Sequence, residues 1–353
     1  MESDICQKIG TLLIDKDLKN QGLLYGKMGT AIFFYHLSEK LQDEKYLDYA
    51  DKLIDEILTQ LTPISTFRDG FTGIGWGIEY IVQHNFCKGD TDEILEDIDT
   101  KIYTILNDNK DMQFGLYNGY IGYLQYYIMR LKHQTRNSLD STRINMEMLK
   151  LIINKIDQIT PVLFVNLVRD ISFILFDDFF ILFWSIIEAY QLNICNNKIV
   201  NMLKQWETYL IAYFPSQHFN RLFLAISLFR INNIIKSSKA DNQIKTLLYS
   251  INADQLKTEI NIINVKNVRQ GYLGQLIILD KCIKYFDTSF PNYSLIQSMR
   301  IDLLNLCNPL LINELNNAST DNNELINIKY GLAEGWTGVG LLLLLLPNLL
   351  EIK

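Results

Sequence analysis

A G-x-x-G pair followed by an apolar, aromatic-rich run recurs along this chain, and no other feature restricts its fold as much. The clear copies are Gly26-x-x-Gly29, Gly70-x-x-Gly73, Gly119-x-x-Gly122, Gly271-x-x-Gly274 and Gly335-x-x-Gly338. Their first glycines lie 44, 49, 152 and 64 residues apart. The wide gap holds two further copies without glycine, and placing them at Asp178 and Leu222 splits it into 59, 44 and 49. The pattern therefore predicts seven repeats of one supersecondary unit.

Each apolar run is preceded by a segment of different character. In Glu93 to Leu106, apolar residues Ile94, Leu95, Ile98 and Ile102 form one helical stripe and acids fill the other face. Leu47 to Leu61, Met146 to Ile159, Asn197 to Phe214 and Ser294 to Leu306 read the same way. The unit is thus an amphipathic outer helix, a loop, and a nearly all-apolar inner helix that has to be buried. Neighbouring units bury one another's inner helices. The last run, Gly338 to Leu350, is as apolar as the middle ones and carries no polar cap, so the array is expected to close on itself. The expectation is an all-α protein, an α/α toroid of seven helical hairpins, with residues 1–353 as one domain. Glycines at i and i+3 share a face of the first helical turn, which would let neighbouring helix ends approach one another.

Composition narrows the function classes. With 33 Lys and Arg against 40 Asp and Glu, net charge is −7, and no basic run offers phosphates a clustered surface, which argues against nucleic acid. A cationic peptide remains compatible with that balance. The five cysteines are scattered, with no C-x-x-C pair, as in reduced intracellular thiols. The start, Met1-Glu2-Ser3-Asp4, carries acid where a secretory signal carries base. The longest apolar runs, Val339 to Leu346 and Phe179 to Ile187, fall well short of the roughly 20 residues that span a bilayer. The expected location is the cytoplasm, with no transmembrane segment. A phosphate-loop reading of the glycines fails for want of G-x-x-x-x-G-K-[ST].

The stretches Tyr25-Gly26-x-x-Gly29, Asp69-Gly70-x-x-Gly73-x-Gly75, Leu116-x-x-Gly119-x-x-Gly122 and Gly331-x-x-Glu334-Gly335-Trp336-x-Gly338-x-Gly340 resemble the glycine motifs of the LanC-type lanthionine cyclases. The resemblance runs over residues 3–350. It implies the α/α toroid, with a site framed by the inner-helix N-termini. There a zinc would activate a peptide cysteine for addition to dehydroalanine or dehydrobutyrine. The implied zinc cysteine of repeat five and the Cys-His pair before the repeat-six glycine are not present. Asn220 stands at the first position, Arg269 and Gln270 at the pair, and Asp177 where repeat four would carry a histidine. Zinc sites need Cys, His or carboxylate donors. The expectation is therefore no metal and no cofactor.

Candidate residues follow from that departure. A free thiol, with pKa about 8.5, is only a few per cent thiolate near neutrality, and nearby cations lower its pKa. Arg221 and Arg269 are candidates for that role, with His218 as a base and Asp177 beside them. Ion pairing of these arginines with Asp177, Asp178 or Glu334 is the equally weighted structural alternative. Asp178, Asn220, Gln270, Glu334 and Trp336 are candidate substrate-binding residues. His84-x-x-Cys87 could supply two metal donors, and Cys282 reads as a core thiol. The leading expectation is a protein of lanthipeptide-type maturation. It binds a precursor peptide, or a partner such as a dehydratase or transporter, with the usual zinc site lost. The alternatives are a zinc-independent thioether-forming cyclase and a carbohydrate-active toroid using paired carboxylates.

Overall fold

Each clear glycine pair opens a helix, and the first glycine of the pair is its extended N-cap. The structure is a computed structural model describing residues 2–14, 16–59, 61–108, 112–132, 139–169, 178–259, 266–268, 271–318, 326–346 and 349–350. The chain runs through α1 (Glu2–Ile14), α2 (Lys27–Leu41), α3 (Glu44–Thr59), α4 (Phe71–Gln83), the short α5 (Thr91–Ile94) and α6 (Glu96–Asp108). It continues through α7 (Tyr120–Leu131), α8 (Leu139–Arg169), α9 (Asp178–Gln191), α10 (Asn196–Leu210), α11 (His218–Ile235) and α12 (Ser238–Tyr249). The last part holds α13 (Ala253–Thr258), α14 (Tyr272–Tyr285), α15 (Tyr293–Asn317), α16 (Ile326–Tyr330) and α17 (Trp336–Leu345). Among the described residues the only β-type pairing is an isolated bridge, Gln113 to Gly119.

Seven of these helices, α2, α4, α7, α9, α11, α14 and α17, are the inner ones, and α1, α3, α6, α8, α10, α12 and α15 back them. The two sets bury differently. Helix α2 is buried without a break from Met28 to Leu37. Helix α3 buries only Tyr46, Ala50, Leu53, Ile54 and Ile57, one stripe, and leaves its acids in water. Burying one aliphatic side chain contributes about 1.5–3 kcal/mol, so an inner helix exposed on any side would forfeit several such increments. The inner helices pack in order, α2 on α4, α4 on α7, α7 on α9, α9 on α11 and α11 on α14. Helix α17 packs on α2 and α1 and so joins the two ends of the chain.

The glycine-bearing loops show how the ring is held. The backbone N–H of Leu332 donates to the carbonyl of Leu24 at 2.8 Å, and that of Leu24 to Arg68 at 3.0 Å. Phe67 N–H in turn donates to Tyr117 at 3.0 Å. At the next step the carbonyl is replaced by a side chain, since Leu116 N–H donates to Asp178 Oδ1 at 2.7 Å. Repeats seven, one, two and three are thereby stitched by the same backbone bond, and repeat four joins them through the Asp178 carboxylate.

The glycines serve this belt in a way the sequence pattern describes only in part. A Cβ on Gly29, Gly73, Gly122 or Gly338 would lie 2.0–2.5 Å from the carbonyl oxygen six residues earlier, in the repeat's own loop. The neighbouring repeat comes second: Leu332 at Gly29, Leu23 at Gly73, Phe67 at Gly122 and Val268 at Gly338. The expectation that glycine serves close approach between helix ends is corrected accordingly. Its first requirement is a loop folded back on the helix it precedes, and the neighbour then packs on the result.

Repeat five starts earlier than its placement at Leu222 implies. Helix α11 begins at His218 with Gln217 as its cap. The Glu259 carboxylate accepts from the backbone N–H of His218 (2.7 Å) and of Phe219 (3.0 Å). That carboxylate fixes the helix start without glycine, because it satisfies two otherwise orphaned donors and suits the positive end of the helix dipole. Asn220 therefore lies inside the first turn, not in the loop before it.

Candidate functional site

At the repeat-five mouth, His218 is 1% exposed and engages both ring nitrogens. Nε2 lies 2.6 Å from Gln255 Oε1. Nδ1 faces the N–H of Arg221 at 3.3 Å and the backbone N–H of Asn252 at 3.4 Å. Two donors facing Nδ1 and an acceptor facing Nε2 suit the tautomer with its proton on Nε2. Arg221 is similarly committed: Nε donates to Pro215 O (2.7 Å), Nη1 to Ser250 O (3.0 Å) and Nη2 to Ser216 O (3.1 Å). Its guanidinium also lies 4.5 Å from the Phe214 ring centroid. Burial pulls its pKa down and Glu259 pulls it back up. The expected ion pairs of Arg221 with Asp178 or Glu334 do not form; it clamps loop carbonyls instead. Asn220 is buried and donates to Gln217 Oε1 at 3.0 Å.

The other candidates disperse. Asp178 is held by Leu116, and burial pushes its carboxyl above the usual range while that N–H pulls it down. It thus serves the belt. Trp336 is 0% exposed and sits beneath the Lys266 ammonium at 5.3 Å. As a surface contact for substrate it is corrected, because an inner-helix first turn faces the packed interior. Asp177, Arg269 and Gln270 lie outside the described residues. His84 and Cys87 part company: His84 Nδ1 meets Tyr80 O at 2.8 Å, and the Cys87 thiol meets Tyr35 Oη at 3.1 Å. Cys282 is buried, as a core thiol should be.

Glu334 belongs to a cluster that sequence reasoning missed. Tyr25 Oη donates to Glu334 Oε1 at 3.0 Å and lies 3.3 Å from Tyr117 Oη. The Arg68 guanidinium lies 6.0 and 5.7 Å from the Tyr25 and Tyr117 ring centroids. Its Nε reaches Asp69 Oδ2 at 2.5 Å, and Asn20 Nδ2 donates to Asp69 Oδ1 at 2.8 Å. Residues just before the helix caps of repeats seven, one, two and three thus meet at one rim. The belt brings them there, since it holds those four loops in register. The signal in the sequence was the pair of positions before the first glycines of these four repeats, which hold Leu24-Tyr25, Arg68-Asp69, Tyr117-Asn118 and Ala333-Glu334. Half-exposed aromatic rings, a guanidinium and two carboxylates offer a peptide stacking, cation–π and hydrogen-bonding contacts together.

With four glycine loops aligned in this way, the comparison with known proteins can be set beside the geometry. Residues 18–169 match the family described as Lanthionine synthetase C-like protein. Over that stretch the chain is similar to the lanthionine synthetase C-like family. No curated protein matches the sequence. The matched residues carry three of the four loops that build the rim, those of repeats one, two and three.

LanC-like cyclases imply zinc, and the residues at the repeat-five mouth do not fit it. The Asn220 amide is a hydrogen-bond donor to Gln217, and the cap position is glutamine. The only imidazole there, His218, shares Nδ1 with a guanidinium at 3.3 Å, a charge that repels a dication. Among the described residues no group of three or more His, Cys, Asp or Glu is placed to hold a metal ion.

Proposed function

We propose that this LanC-like chain acts in ribosomal peptide maturation by binding a precursor peptide at the Tyr25–Tyr117–Arg68–Glu334 rim, without forming the thioether itself. One observation supports the reading above others. The rim cluster leaves aromatic and charged groups half-exposed, with the Arg68 side chain 42% exposed, whereas His218 and Arg221 spend their donors and acceptors on each other and on loop carbonyls. A base that already accepts two hydrogen bonds on its free nitrogen is poorly placed to take a thiol proton. A dehydratase or transporter of the same maturation system is the partner this reading calls for, and the zinc-independent cyclase is its rival.

The test is a synthetic peptide holding one cysteine and one dehydroalanine, labelled for fluorescence anisotropy. Binding is expected, weakened by Glu334→Ala and by Arg68→Ala. Cyclisation leaves the mass unchanged but consumes the thiol, so free thiol is titrated in parallel. Thiol loss at the uncatalysed rate is expected. Loss accelerated by the protein, and abolished in Arg221→Ala, would establish the cyclase in place of the binder.

A further inference from the structure

The ring has one loose seam. Each consecutive pair of inner helices packs together except α14 and α17, which share no comparable interface among the described residues. A cleft of about 640 Å³ opens between α14, α15 and the chain just after α17. Ligand pockets commonly span roughly 300–1,000 Å³. Ile277, Ile301, Leu346 and Leu349 give this cleft apolar walls, and Lys281 and Lys284 give it a basic one. Asp280 and Arg300, which also line it, bond each other at 2.5 Å.

Lys281 links the cleft to a second cation. Its ammonium lies 5.6 Å from the ring centroid of Trp184 on α9, and the Arg230 guanidinium on α11 lies 4.4 Å from the same centroid. Attraction to an indole accounts for one cation, but two cations on one ring repel each other. Neither Arg230 nor Lys281 forms an ion pair among the described residues. The acids whose fields reach them are engaged elsewhere, Glu188 with Lys132 at 3.3 Å and Asp280 with Arg300. Burial lowers the pKa of both cations, and Lys284 and Arg230 lower that of Lys281 further. A helix dipole favours cations in the last turn, which explains Lys284 but neither of the other two. The Trp184 Nε1 is itself buried without a hydrogen-bond partner. Three donor groups at one indole thus lack an acceptor.

We propose that this seam binds an amphiphilic organic anion, a carboxylate or phosphate on an apolar stem. The head sits on Arg230 and Lys281 and accepts from Trp184 Nε1, and the stem fills the cleft between the apolar walls. Lys284, exposed on the basic wall, draws the anion in. An inorganic anion would leave those walls in water, and a neutral amphiphile would leave the cations unanswered. The site is independent of the peptide-binding rim. That rim gathers at the inner-helix N-termini, whereas Arg230, Lys281 and Lys284 lie in the C-terminal halves of α11 and α14.

The experiment titrates the full chain with octanoate, octyl phosphate, 1-octanol and inorganic phosphate by isothermal calorimetry at low salt, with the amphiphiles below their micellar concentrations. Octanoate or octyl phosphate is expected to bind about tenfold more tightly than octanol or inorganic phosphate, and the tighter of the two identifies the head. The preference over octanol should shrink as salt is raised. Lys281→Met keeps the aliphatic stem and removes one of the two cations that repel. It should weaken the anionic amphiphiles about tenfold while raising the Tm of the ligand-free chain by about 2 °C. Trp184→Phe, which keeps a ring and removes the N–H, should weaken them about threefold. Octanol binding as tightly as octanoate, or inorganic phosphate as tightly as octyl phosphate, overturns the proposal. So does unchanged binding in Lys281→Met. Binding lost together with a lowered Tm would mark Lys281 as a structural clamp and overturns it equally.

Discussion

Arg130 gives the clearest energetic test of this architecture. Its guanidinium is fully buried and makes charge-assisted bonds to Glu79, Asp92 and Asp99, with Thr91 Oγ1 at 3.2 Å as a fourth partner. Arg130→Met keeps most of the stem's packing and removes the charge. It leaves Glu79, 2% exposed, with the Gln83 amide at 2.8 Å as its other partner. Breaking a buried pair by removing one member typically costs about 3–5 kcal/mol, and the half-buried Asp92 and Asp99 would add mutual repulsion. The loss should depend on pH. Burial already holds the Asp99 pKa above its usual value, and removing Arg130 raises it further. For a carboxyl whose folded pKa exceeds its unfolded pKa, the folded state binds more protons between the two values, so stability falls as pH rises through that window. Urea unfolding of wild type and variant at pH 7.5 and pH 5 measures both effects. A loss of about 3 kcal/mol or more at the higher pH, smaller at the lower, is expected. A loss under about 1 kcal/mol at pH 7.5 would refute the charge argument, as would a penalty that grows on acidification.

Gly73→Ala should destabilise the chain by about 1–3 kcal/mol despite alanine's better helix propensity, because the new Cβ would stand 2.0 Å from Phe67 O. Gly89→Ala, which meets only the flexible tip of Ile94 at 2.7 Å, is the matched control and should be nearly neutral in thermal unfolding. Burial pushes the His36 imidazole down to about 4, with His84 adding to the effect. Stability should therefore be lost as pH falls from about 6.5 toward 4, and His36→Gln should flatten that part of the urea-unfolding pH profile. Burial pushes the Cys6 thiol up to about 12 and raises Cys282 as well, so iodoacetamide should spare both in the native chain, as read by mass spectrometry. Rapid labelling of Cys282 would contradict the inner position of α14.

How far the fold could be read from sequence depended on what each signal measures. Apolar periodicity measures burial, and it placed all seven inner helices, including the two without glycine. Glycine pairs marked five inner-helix starts to the residue, and at four of them, those of repeats one, two, three and seven, a Cβ would strike the loop's own backbone, a local requirement that local sequence has to meet. At repeat five that requirement is absent. The helix start is set by Glu259, forty residues downstream in the chain and adjacent only after folding, so a register carried over from spacing slipped toward Leu222. The same limit governed the site. Glu334 could be singled out as an acid beside a glycine, but its partner Tyr25 arrives from repeat one, and Tyr117, which meets Tyr25, from repeat three, brought together by a belt of backbone bonds that side-chain identity does not encode. His218 and Arg221 illustrate the converse. Their side-chain types suggested acid–base and thiol chemistry, and only the folded loop shows both turned inward as clamps. A ring of repeats therefore separates two kinds of information: each unit's sequence specifies its own hairpin and loop, while function is assembled where loops from different units meet.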